Sequence, residues 1–243
     1  MCWSGEASTV LATVGLGSTA YAAYKKEPTV LWITLGYFSL MEALQAYTYS
    51  VIDNCDSPAN QISTLFGYLH IAFQPFFINA ISLYFVPEKT RKMFFVPSMV
   101  LCFVASIMML VQLYPFEWAG QCHASRPLCG DILCSVSGNW HIAWKVPTNG
   151  IGNFFVDKGI FGMFATGFIP YEIAGFVLPL LYGSWRFTLY HYLMGPWFAE
   201  RLTDNINEWP AIWCLLSIGL LLIVVKTPVR KILHVKKWYF WKF

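Results

Sequence analysis

Apolar residues fill the chain in long runs that short polar stretches separate. A run of about 20 apolar residues is what a helix needs to cross the hydrocarbon core of a bilayer. The pattern predicts seven spans: Ser4–Tyr24, Thr29–Ile52, Gln61–Val86, Met93–Tyr114, Gly159–Gly183, Trp185–Thr203 and Glu208–Val225. The sixth is interrupted by Arg186 and His191 and should bend at Gly195-Pro196. Residues 115–158 are too many for a simple connection. Within them Trp140, Ile142, Trp144 and Val146 alternate with His141, Ala143 and Lys145, and Asn149-Gly150 is a turn signal. That alternation predicts a small hairpin or extended flap over the outer mouth of the helices. The expected fold is therefore an all-α integral membrane protein. One seven-helix bundle covers residues 1–225, with an outer flap at 115–158 and a tail at 226–243.

Composition narrows the class. Hydrophobic residues make up 57% of the chain and charged residues 12%, against roughly a quarter charged in a soluble domain. The formal charge of +3 matters less than its placement. Lys25, Lys26, Lys89, Arg91, Lys92, Arg186 and the tail fall in one set of connections, whereas the alternate Asp53–Asn60 turn has no basic residue. By the positive-inside rule the N-terminus lies outside and the C-terminus on the cytoplasmic side. The segment Met1–Ser8 has no basic n-region, so the first span is expected to remain as its own signal. The tail mixes Lys226, Arg230, Lys231, Lys236, Lys237 and Lys242 with Trp238, Tyr239, Phe240 and Trp241. That mixture suits a membrane-surface anchor, with membrane lipid and not nucleic acid as partner.

Of seven cysteines, Cys102 and Cys214 fall inside spans, and Cys2, Cys55, Cys122, Cys129 and Cys134 outside them. At least one disulfide is expected among Cys122, Cys129 and Cys134, or from one of these to Cys55, if the outer side is oxidising. Spacing leaves the pairing open. A zinc site drawn from Cys122, His123, Cys129, Cys134 and His141 is the alternative.

Polar residues inside the spans are the candidate functional residues. Glu42, Gln45 and Tyr49 fall at i, i+3 and i+7 and share a helix face. His70 and Gln74 lie on the next span, Glu172 on the fifth and His191 on the sixth. At about 1.5 Å per residue, Glu42, His70, Gln74, Glu172 and His191 all fall roughly 13–20 Å below the outer surface. Pro75 frees a main-chain carbonyl beside Gln74, and Gly167, Pro170, Gly175 and Pro179 loosen the fifth span around Glu172. Together these residues predict one pocket near mid-membrane, alongside the plainer reading of interhelical polar packing.

Three functions could use such a pocket. The first is non-catalytic binding of an apolar or amphipathic molecule, a lipid or pigment, or service as a subunit of a larger membrane complex. The second is a metal-dependent intramembrane lipid hydrolase, with Glu42, His70, Glu172 and His191 holding zinc or iron. The third is a proton-coupled transporter, against which no inverted repeat is visible.

The chain resembles a family of uncharacterised seven-span membrane proteins. The resemblance rests on Cys2-Trp3-Ser4 with Glu6 and Ser8, on Met41-Glu42 with Gln45, and on Asn60, Ser63 and Gln74-Pro75. It implies the seven-span count and no activity. In topology alone the chain is similar to the alkaline ceramidase and adiponectin-receptor superfamily, whose zinc site uses a histidine pair on the seventh span. Here that span contains no histidine.

Overall fold

The computed structural model describes residues 2–153 and 168–238. Residues 159–167 of the expected fifth span and residues 239–243 of the tail lie outside the described residues. The chain is predominantly helical. Helix α1 is Gly5–Tyr24, α2 Thr29–Tyr49, α3 Pro58–Tyr84 and α4 Glu88–Val111. After the long loop come α5, Ile169–Leu181, α6 over residues 185–202, α7, Trp209–Lys226, and a short α8, Val229–Leu233. Among the described residues α3, α4 and α7 are long and apolar enough to cross a membrane.

Local chemistry sets the helix boundaries. Ser4 caps α1 by accepting the Ala7 amide at 3.3 Å, and Glu6 sits in the first turn, where a carboxylate suits the helix N-terminus. Pro58 opens α3, where a missing N–H costs nothing. Inside α3, Pro75 removes an amide, and side chains of α4 and of α3 itself supply donors to the carbonyls around it. Ser106 of α4 donates to Ala72 O at 2.6 Å, and Asn79 donates to Pro75 O at 2.9 Å. The Asn79 amide also reaches Ala174 O of α5 at 2.7 Å. That carbonyl belongs to a π-helical turn, Ile173–Val177, which interrupts α5 just before Pro179. A second π-helical turn, Leu193–Trp197, bends α6 at Gly195-Pro196 as the sequence predicts. Gly195 lets the Trp213 indole of α7 lie against this bend, because a Cβ there would stand 2.6 Å from the ring.

The connections collect at two ends. At one end the α1–α2 turn, the α3–α4 and α5–α6 turns and the tail meet. Arg230 pairs with Glu27 at 2.6 Å, Val235 N donates to Phe85 O at 2.8 Å, and Arg186 donates to Ile232 O at 2.9 Å. The described tail thus folds back on the helices, with Leu233 and Val235 buried. At the other end the long loop forms an antiparallel hairpin of β1, Cys134–Ser137, and β2, Ile142–Lys145. The alternation around Ile142 foretells β2; its partner strand carries no comparable signal.

The hairpin is anchored on three sides. Cys55 in the α2–α3 turn is bonded to Cys134, and Asn60 of α3 exchanges two 2.9 Å hydrogen bonds with the backbone of Ser135. Trp144 packs on Gly67 of α3. Asp53 accepts both the amide and the hydroxyl of Ser137. A second disulfide joins Cys122 to Cys129. The three cysteines of the outer zinc alternative, Cys122, Cys129 and Cys134, are therefore spent on disulfides, and that site is not formed.

Candidate functional site

The seven polar residues singled out along the spans do not converge on one pocket. They divide among three places and the packed core. Among the described residues no three His, Cys, Asp or Glu side chains stand close enough to hold a metal ion. The proposed set of Glu42, His70, Glu172 and His191 is thus not a metal centre. The reason is angular: equal depth fixes a position along each helix, not around it.

His70 shows this most clearly. Its ring stacks on Tyr37 at 3.8 Å in a shallow groove between α2 and α3 formed with Leu40, Leu44, Phe66 and Phe73. Leu40 and Leu44 flank Glu42 in sequence, which places them about 200° around α2 from it. The carboxylate and the imidazole therefore occupy opposite sides of the same helix. His191 is enclosed by rings, stacked on Phe176 at 5.3 Å and Phe187 at 5.7 Å, and accepts the Trp213 indole N–H at 3.1 Å. Gln74 donates to Cys214 Sγ at 3.3 Å and accepts the Tyr171 hydroxyl. Both are interhelical packing contacts.

Glu42, Gln45 and Tyr49 do share a face, and it lies beneath the hairpin with Glu42 and Gln45 buried. Trp3 donates its indole N–H to Ser8 Oγ at 2.8 Å and to Glu42 Oε1 at 3.3 Å. Above it the Trp3 ring stacks on Trp140 at 5.8 Å and stands 6.0 Å from the His141 ring. Sequence reading overlooked His141 as part of this group, because it sits in the loop and not in a span. Trp3 and Ser8 carried a signal only through the N-terminal pattern.

The state of His141 follows from its partners. The Ile142 backbone N–H donates to Nδ1 at 2.8 Å, so Nδ1 is unprotonated and the Tyr49 hydroxyl donates to it at 3.0 Å. The neutral ring then carries its proton on Nε2. That N–H, the second Glu42 oxygen and both amide atoms of Gln45 are buried without a partner among the described residues. The hairpin backbone at this point is clamped by Glu208, which accepts the amides of Asn139, Trp140 and His141 at 2.7, 2.7 and 2.9 Å.

Burial pushes the His141 pKa from 6.5 down to about 3. The unfolded chain therefore takes up a proton below about pH 6.5 that the folded chain refuses. The neutral ring's contribution is whole above that value and is lost as pH falls toward about 3. Between pH 7 and pH 5 the loss should be about 2 kcal/mol. Melting curves of the wild type should drop more steeply over that interval than those of His141→Gln. Equal slopes would mean that the folded ring protonates freely.

A deeper cavity lies elsewhere, between α5, α6 and α7 under the Cys122–Cys129 loop, with a volume of about 430 Å³. Its walls are mostly apolar and aromatic, with Tyr68, Tyr171, Phe176, Tyr192 and Trp213 among them. Glu172 lies on its α5 wall and Glu200 on its α6 wall. Thr188, Tyr192, Pro196 and Glu200 mark the α6 side at four-residue intervals, a stripe running roughly 18 Å at about 1.5 Å per residue. Of the sequence-predicted residues only Glu172 lines this space.

A family model described as "Family of unknown function (DUF5765)" matches residues 6–234. No curated protein and no solved structure matches the chain.

Proposed function

The chain belongs to that family, and from this premise we propose that it is a seven-span membrane protein that binds an apolar or amphipathic molecule in the cavity between α5, α6 and α7. The observation that carries the reading is the cavity itself. Its volume of about 430 Å³ lies within the range of small-molecule sites. It is lined by rings, with a few polar groups to orient a head.

The seven-span arrangement is supported by the alternation of connections between two ends and by the gathering of Lys25, Lys26, Arg186 and Arg230 at one of them. With that basic end in the cytoplasm, the hairpin, both disulfides and the roof of the cavity face outward. The cavity would then draw its ligand from the outer leaflet or the outer medium.

Mass spectrometry of organic extracts from the protein purified in mild detergent tests the reading. A stoichiometric amphiphile should be present, and Thr188→Phe, which fills the buried wall of the cavity, should reduce it several-fold without lowering the melting temperature. Protein free of any such molecule, or an undiminished yield from a well-folded Thr188→Phe variant, would refute it.

A further inference from the structure

Resting on that cavity, we propose that its ligand carries a positively charged amine that pairs with Glu172, with an unbranched apolar tail extending along α5 and α6. Half-buried Glu172 lines the cavity, and its side chain meets no hydrogen bond or ion pair among the described residues. A carboxylate in an apolar enclosure without a partner is costly, and a cation delivered to it removes that cost. The surrounding rings suit a cation as well. Tyr171 and Phe176 lie on the same helix, with Tyr68 and Trp213 on the facing walls, and aromatic faces attract ammonium groups.

Charge along the path agrees. Glu200 is exposed and lines the cavity at the hairpin end of α6, placing a second carboxylate on the way in. Arg126 is the one cationic residue in the lining among the described residues, and it packs over the Phe168 ring at 5.7 Å. Below Glu172 the α5 wall continues through Phe176 to Leu180, leaving roughly 12 Å of apolar surface at about 1.5 Å per residue. Leu189 of α6 completes that lower part. A head at Glu172 and a tail reaching Leu180 describe a single-chain amine.

Tryptophan fluorescence titration of the full chain in nonionic micelles separates the outcomes, since Trp209 and Trp213 line the cavity. Dodecylamine and dodecanol are the probes, with protein-free micelles correcting for partition. Wild type should bind the amine at least about tenfold more tightly than the alcohol, as a charge-assisted hydrogen bond requires. Glu172→Gln should bring the two affinities together by weakening the amine alone, and Glu172→Asp should keep the preference in part. Equal affinities in wild type, both abolished by Thr188→Phe, would overturn the amine assignment and leave the cavity reading standing. Binding of both probes unaffected by Thr188→Phe would overturn the cavity reading, and this assignment with it.

Discussion

Glu208→Ala should destabilise the folded protein by about 4 kcal/mol or more and release the hairpin from the start of α7. The carboxylate is fully buried and accepts four hydrogen bonds. Three come from the amides of Asn139, Trp140 and His141, and the fourth from the Thr203 hydroxyl at 3.2 Å. Each donor stranded by the substitution costs roughly 1–3 kcal/mol when water cannot replace the acceptor. Glu208→Gln should lose about half as much, because one oxygen remains while the new amide faces a backbone donor. The clamp is also tight in shape. A Cβ at Gly138 would stand 2.3 Å from the Glu208 carboxyl carbon and 2.5 Å from His141 O, so only glycine fits the turn between the strands.

The consequence reaches the buried Glu42 face. His141 is held over Tyr49 by the same three residues whose amides Glu208 binds, so losing the clamp removes the roof from Glu42 and Gln45. Denaturant melts in detergent and limited proteolysis between Gly130 and Asn139 would report both effects. A Glu208→Ala protein that melts with the wild type and resists cleavage would show that the disulfide and Asn60 hold the hairpin without help from α7.

The helices were legible because one-dimensional information suffices for them: a long apolar run ending at Lys25 or at the polar Asp53–Asn60 turn dictates, to within a few residues, where a helix starts or stops. The π-turn at Gly195-Pro196 was legible for the same reason, since a proline inside a run must disturb it. Strand β2 announced itself by alternation, whereas β1, Cys134-Ser-Val-Ser137, has polar residues on alternate positions that equally suit a turn.

What could not be read was rotation. Glu42 and His70 sit at matching depth, yet Tyr37 and Phe77 hold the His70 side of α3 against the opposite flank of α2. That facing is decided by the packing of several helices at once, not by spacing on either one. The same limit hid His141, whose place over Tyr49 depends on a disulfide joining cysteines 79 residues apart and on Glu208, 67 residues further along the chain. The Glu172 cavity was legible only as a loosened helix around a carboxylate. Its apolar lining comes from six separate segments of chain.

Removing the Cys55–Cys134 bond should cost more than removing Cys122–Cys129. The first closes a loop with a sequence separation of 79 residues, the second one of 7. Loop-closure entropy alone gives about 4 kcal/mol for the longer loop and about 2 kcal/mol for the shorter. In a membrane α3 and α4 keep much of their order when tertiary contacts are lost, so the longer loop should deliver about 3 kcal/mol. The hairpin should nevertheless stay in place after Cys55→Ser with Cys134→Ser. Asn60, Thr64 and Asp53 still bind Ser135 and Ser137, with the Thr64 and Ser135 hydroxyls 2.7 Å apart. This outcome differs from that of Glu208→Ala, in which the opposite flank of the hairpin loses its acceptors. The expected pattern is therefore a large drop in melting temperature with little gain in protease sensitivity for the Cys55/Cys134 pair. Cys122→Ser with Cys129→Ser should show a smaller drop and a loosened cavity roof, since Cys122 lines the cavity. An equal or greater loss from the shorter loop would mean that local packing around Cys122, and not chain entropy, governs the stability of this face.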